Sequence, residues 1–186
     1  MEPNESDAKE RINNHVAVTV AILAAFMAIT KVTDDNVCQA MEKEKANEVN
    51  AWSYYQSKSI KQNLAEVGRA QLAAQTAPGN TREHVEAQVA KYDKEIARYE
   101  SDKAEIYAKA KGHEKNYDAL NFRDDQFDLS DATLSIALGM LAVTALTGKM
   151  WLLTTSWVIG GFGALLGMAG LLRLGIHFEW LVKLLS

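Results

Sequence analysis

Proline and cysteine are nearly absent from the sequence, at 2 and 1 of its 186 residues. So few prolines exclude an extended proline-rich chain, and one cysteine excludes a disulfide scaffold and any multi-cysteine metal centre. An excess of positive charge is missing as well. With 20 Lys and Arg against 24 Asp and Glu, the net charge is -4, so no nucleic-acid partner is expected, because such partners select basic proteins. The most informative absence is local: residues 12–30, 132–148 and 150–172 contain no Lys, Arg, Asp or Glu. The mean hydropathy of -0.17 looks like that of a soluble domain only because every charge is crowded into the remainder.

A helix needs roughly 20 apolar residues to cross the hydrocarbon core of a bilayer. The charge gaps supply three such helices, over 12–32, 131–148 and 150–172, closed by Arg11, Lys31, Asp131, Lys149 and Arg173. Only Thr147, Gly148 and Lys149 remain to turn the chain between the second and third. Lys9 and Arg11 before an apolar run resemble the start of a secretory signal. However, the exit Phe26-Met27-Ala28 lacks the small residue that cleavage needs, and the first span reads as an uncleaved anchor behind a tail at 1–11. In the third span Gly160, Gly163, Gly167 and Gly170 form a small-residue stripe, which lets helices approach closely in lipid, within a subunit or between subunits. The C-terminal segment 173–186 is amphipathic, with Leu174, Phe178, Leu181 and Leu185 on one face. It either lies in the membrane interface with Trp180 at headgroup depth or extends the third span.

Residues 33–130 are rich in Ala, Glu, Lys and Gln and read as two long helices of about 44 and 48 residues, each roughly 65–70 Å at 1.5 Å per residue. The strong break is Ala77-Pro78-Gly79-Asn80, a turn at 77–80 whose Asn80 and Glu83 form a capping box for the next helix. On the second leg Val85, Val89, Tyr92, Ile96, Tyr99, Lys103, Ile106, Ala110, His113, Tyr117 and Leu120 step by fours and threes without a slip, which is the spacing of a coiled coil. On the first leg the apolar row is looser: Val37, Met41, Val49, Trp52, Gln56, Ile60, Leu64, Val67, Gln71. Lys103 and His113 interrupt the second-leg seam, either as a polar layer that fixes register or oligomer state, with His113 a pH-sensitive contact, or, the plainer expectation, by reaching past its edge to water. The predicted fold is therefore all-α: three transmembrane helices, with a long antiparallel coiled-coil hairpin inserted between the first and second. A two-helix hairpin has a thin core, so a homo-oligomer is expected.

Catalytic and metal motifs are not found. His113-Glu114 lacks the second histidine of a zinc-protease helix, Gly148-Lys149 lacks the rest of a phosphate loop, and the four histidines share no ligand spacing. Cys38 reads as a small packed side chain. No enzyme activity, cofactor or metal is expected. Aspartates gather at the stalk base, Asp34 and Asp35 on one leg and Asp124, Asp125, Asp128 and Asp131 on the other. Repeated around an oligomer they would make a cation vestibule, although capping and solvation account for them equally well. Lys and Arg near the membrane number seven on the stalk side and three on the other, a lean toward a cytoplasmic stalk.

The run Trp52-Ser53-Tyr54-Tyr55-Gln56-Ser57-Lys58-Ser59-Ile60-Lys61, the entry Asn13-Asn14-His15, the approach Asp128-Leu129-Ser130-Asp131-Ala132 and the glycine-rich third span together resemble an uncharacterised bacterial membrane-protein family. It is known as domain of unknown function four-three-three-seven. The resemblance spans nearly the whole chain and implies a bacterial inner-membrane protein with this helical layout, but no reaction and no site residue. The expected role is a scaffold or partner-binding subunit in the bilayer, with a protein partner on the stalk. An oligomeric channel and an accessory subunit of a larger complex are the alternatives.

Overall fold

The computed structural model describes residues 5–74 and 80–174, and among them it contains helices and no strand. The helices are α1 (Glu5–Ala73), α2 (Asn80–Thr147) and α3 (Met150–Leu171). Each contains a stretch long and apolar enough to cross a membrane. Neither α1 nor α2 breaks where its apolar stretch gives way to charge. Between Pro3 and Gly68 the sequence has no helix breaker, so nothing interrupts the backbone ladder as the side chains turn polar. Of the expected turn at 77–80, residues 77–79 lie outside the described residues, as does the C-terminal segment beyond Leu174, while Asn80 opens α2.

The chain divides into two compact units: a base made of Met1–Met41 and Ala119–Ser186, and a second unit, Glu42–Asp118. The base therefore takes in residues 33–41 and 119–130, which the charge pattern assigns to the stalk. Gln126, Phe127, Leu129 and Ser130 are buried there, which ties the start of the α2 span into the base.

Val16, Leu23, Leu134, Ala137, Leu141 and Leu153 form the core of the base. The glycine stripe packs against α1 and α2 of the same chain. A Cβ on Gly160 would lie 2.9 Å from Leu23, on Gly163 2.5 Å from Thr133 Oγ1, on Gly167 2.7 Å from Ser130 Oγ, and on Gly170 2.9 Å from Phe127. Bare backbone at these four positions is what lets α3 approach α1 and α2. Ser130 Oγ then donates 2.8 Å to Gly163 O, a bond that a bulkier α3 would hold out of reach. Other hydroxyls bond their own helix, as Thr30, Thr144 and Ser156 do to carbonyls one turn back. In an apolar surrounding that is the cheapest way to satisfy them. The outward face is aliphatic, including Val18, Ile22, Ile136, Val158 and Leu165.

Between α2 and α3 the connection is Gly148 and Lys149. Gly148 sits at φ +64°, a left-handed conformation natural to glycine at a helix end, and its N–H closes on Thr144 O at 2.8 Å. The Lys9 side chain lies against Gly148, so the N-terminal charges and this turn share one end of the base. Lys31, Asp131 and Arg173 mark the other. About 30 Å of helix between those ends matches a hydrocarbon core.

In the second unit, contacts pair rising numbers on α1 with falling numbers on α2: Glu44 with His113, Lys58 with Asp102, Arg69 with Asp93. On α2 the positions Val85, Val89, Tyr92, Ile96, Tyr99 and Tyr117 are half-buried, and Ile106 and Ala110 are buried. On α1 the expected row is only partly in contact: Val37 is buried and Met41 and Trp52 are half-buried, but the remaining apolar positions are not. Val49, Ile60, Leu64 and Val67 are 53%, 67%, 71% and 53% exposed. The protected positions are Glu44, Glu48, Ala51, Tyr55, Lys58, Gln62 and Ala65, which also step by fours and threes but half a turn around the helix. The reason is volume. The α2 face is heavy with tyrosine, so α1 must answer with small residues and with side chains whose stems cross the rings: Gly68 faces Tyr92, and the Lys58 ammonium lies 5.5 Å from the Tyr99 ring centre. Lys103 and His113 do not simply reach to water either. Lys103 donates to Gln62 Oε1 at 3.0 Å, and His113 Nδ1 lies 2.7 Å from Glu44 Oε2.

Candidate functional site

Within the base, just past the charge-free stretches, α1 and α2 bring together side chains separated by nearly ninety residues. Lys31, Asp34 and Cys38 are spaced three and four apart on α1, and Asp124, Asp128 and Asp131 are spaced four and three apart on α2, so each trio lies along one helix face. Lys31 Nζ donates to Asp34 Oδ2 at 2.9 Å. The Cys38 thiol donates to Asp124 Oδ1 at 3.0 Å. Asp34, Cys38 and Asp124 each offer one ligand atom, all within 4.8 Å of one another.

The electrostatics of this cluster are unbalanced. Asp34 is 3% exposed, and its Oδ1, like Asp131 Oδ1, is buried with no hydrogen-bond partner among the described residues. A buried carboxylate oxygen without a donor costs more than an ordinary lost hydrogen bond. Burial, and then neighbouring carboxylates, push the acids of Asp125 and Asp128 up from the ordinary carboxylate value. Asp124 is also pushed up, by burial first, against the lowering effect of the Cys38 hydrogen bond. The hydrogen bond to Asp124, helped by burial, raises the Cys38 thiol to about 11, which favours its protonated form. Among the described residues, Lys31 is the cation paired with this cluster, through Asp34. Such a cluster can take up a proton or a cation. Asp34, Cys38 and Asp124 are the residues that could hold a metal ion, with the thiol giving up its proton to do so.

Of the six aspartates singled out from the sequence, Asp34, Asp124, Asp128 and Asp131 meet in this cluster, Asp125 stands beside Asp128, and Asp35 is exposed. Sequence reasoning missed Lys31 and Cys38. Cys38 had a usable signal, one helical turn beyond Asp34, but its partner Asp124 becomes visible only once α2 returns beside α1. The coiled-coil positions Val85 to Tyr117 lie in the second unit, and Leu120 and the four stripe glycines lie in the base.

No curated protein matches the chain. A family model does, described as Domain of unknown function (DUF4337), over residues 12–173. The match takes in the apolar stretches of all three helices, the acidic cluster and the whole second unit, so the chain belongs to the DUF4337 family.

Proposed function

We propose that this protein is a non-enzymatic scaffold of the inner membrane that assembles from several copies of itself, with residues 42–118 forming a coiled-coil hairpin that carries the contact between copies. The observation behind this reading is the row Val49, Ile60, Leu64 and Val67. These residues lie outside the charge-free stretches and so face water, yet they are more than half exposed. A second copy of the chain is the occupant that fits. The row lies half a turn from the face already used against α2 and keeps a spacing at which another helix can pack. It also supplies the apolar area that a two-helix core lacks. The excess of Lys and Arg on that side favours a cytoplasmic location for the hairpin.

Native mass spectrometry of the full-length protein in detergent tests this. Two or more copies per particle are expected, with chemical cross-links concentrated on α1 between 49 and 67. A monomer at micromolar concentration would overturn the reading.

A second reading rests on the orphaned Asp34 Oδ1. Repeated in an assembly, the acidic cluster would gather cations at a membrane entrance. Liposomes carrying the protein under a potassium gradient decide it: flux that falls when Asp124 and Asp128 are both changed to Asn supports an entrance, and no flux removes it.

A further inference from the structure

At the end of the base where α3 leaves its apolar stretch, an open cleft of about 350 Å³ is bordered by Arg123, Gln126, Arg173, Leu120, Phe122 and Leu174. Two guanidinium groups share it, and among the described residues neither faces a carboxylate. Arg123 Nε donates to Gly170 O at 2.7 Å, and the backbone N–H of Arg173 reaches the same oxygen at 3.4 Å. Gln126 Nε2 donates to Leu174 O at 2.9 Å. The carbonyls of Met168, Ala169, Gly170 and Leu174, which would repel an anion, are thus covered from within. The plane of Arg123 is further fixed by Phe127, whose ring centre lies 5.4 Å from the guanidinium carbon. Burial and the proximity of Arg173 both lower the Arg123 guanidinium from its ordinary value, the signature of a cation short of a counter-charge.

Arg173 is held there at a cost. Its φ is +55°, and it occupies the left-handed position of the α3 cap, where Leu174 N–H returns to Ala169 O at 2.9 Å. Glycine is the ordinary choice at such a position, because a side chain is strained there. An arginine in its place indicates that the side chain has a use.

We infer that this cleft binds the phosphate of an anionic phospholipid, with Arg123 and Arg173 on the headgroup and Leu120, Phe122 and Leu174 against the glycerol and upper acyl chain. The shared chemistry is a phosphate oxygen held by guanidinium donors. Two features favour lipid over free phosphate as its source. Half of the cleft wall is apolar, which a soluble anion has no use for. The cleft also sits where the charge-free stretch of α3 stops, at headgroup depth, and basic pockets between membrane helices at that depth suit acidic headgroups.

The Arg173→Gly variant makes the test clean, because it removes a charge and relaxes the backbone at the same position, so the fold is retained. Full-length protein is reconstituted in nanodiscs of phosphatidylcholine with a minority of phosphatidylglycerol, released, and its retained lipid counted by native mass spectrometry. Wild type is expected to keep phosphatidylglycerol in preference to phosphatidylcholine. Arg173→Gly is expected to lose about tenfold of that preference, with an unchanged or higher thermal midpoint, and Arg123→Lys to keep part of it. Inorganic phosphate titrated into the lipid-loaded protein is expected to displace none of the bound phosphatidylglycerol at concentrations where the lipid is held. Equal retention of the two lipids by wild type would overturn the inference, as would undiminished preference in Arg173→Gly. Binding of inorganic phosphate as tight as that of the lipid would overturn the assignment to lipid.

Discussion

The base and the second unit are built from the same helices, yet they hold those helices together by opposite means. In the base, contact is made by what has been removed: at Gly160, Gly163, Gly167 and Gly170 the side chain is gone and α3 rests on its neighbours nearly backbone to side chain. Hydroxyls turn inward to their own helix, and ion pairs are few. In the second unit, contact is made by what has been added. Tyrosines fill the α2 face, lysine stems lie across rings, and charges close the edges, as in Lys58 with Asp102 at 2.7 Å. The solvent sets the difference. Lipid offers no reward for hiding an aliphatic side chain, so close packing and small residues decide association there. Water rewards the burial of rings and stems and leaves the charged heads solvated.

That contrast can be broken most severely in the base. Replacing Gly163 and Gly167 together with isoleucine puts side chains where a single Cβ already meets Thr133, Ser130 and Phe26. The expected loss is on the order of 1–3 kcal/mol or more per site, read as a collapse of the thermal midpoint in detergent. Gly161→Ala, which meets nothing within 4 Å, is the matched control and should leave the midpoint in place.

The next effect falls on the second unit and on assembly. Ile60→Asp with Leu64→Asp should shift the copy number toward monomer while far-UV helicity holds. If the oligomer survives intact, the exposed row is not its interface.

A smaller effect is set by pH. The His113 hydrogen bond holds the Glu44 carboxyl below its ordinary value, and the Lys58 hydrogen bond does the same for Asp102. Carboxylates with depressed folded values contribute stability above their unfolded values, near pH 4, and that contribution is lost as the pH falls through the folded values. Trp52, edge-on to Tyr107 at 5.6 Å, reports on the same unit. In a full-length variant with Trp151, Trp157 and Trp180 changed to Phe, its emission should shift red below about pH 4, and His113→Gln should bring the shift on at higher pH. The smallest effect belongs to Arg82→Ala, which removes an exposed pair with Glu86 and should leave the thermal midpoint unmoved.

Much of the fold is legible in the sequence because lipid excludes charge so strictly. The gaps at 12–30, 132–148 and 150–172 mark the three apolar helices, and the unbroken fours and threes from Val85 to Leu120 mark the protected face of α2. The matching face of α1 is hidden for a physical reason. It is made of Glu44, Ala51, Tyr55, Lys58, Gln62 and Ala65, chosen for size and stem rather than hydropathy, so the apolar signal on that helix, Val49 to Val67, points to its opposite side. The acidic cluster is half legible: the aspartates stand out on each helix, but the joining of Cys38 to Asp124 depends on where the chain returns. The glycine stripe is visible as a packing surface, whereas its partners within the same subunit are not.

One contact in the base also bears on how the molecule is made. Trp157 Nε1 donates to Thr19 Oγ1 at 3.0 Å, and Thr19 in turn donates to His15 O at 2.8 Å, in line with the packing of Leu23 on Gly160 and Phe26 on Gly167. The two bonded residues are 138 positions apart. At a synthesis rate of about 5–20 residues per second, α1 therefore waits roughly 7–28 s in the bilayer before its partner helix exists. Until the α2 stretch that packs on Val16 and Leu23 follows it, it has only lipid around it, and the charge-free run that identifies the helix is also what lets it wait. The Trp157 bond then works as a late alignment peg: an indole N–H that finds no water in hydrocarbon settles only when α3 has slid to the register at which Thr19 is within reach.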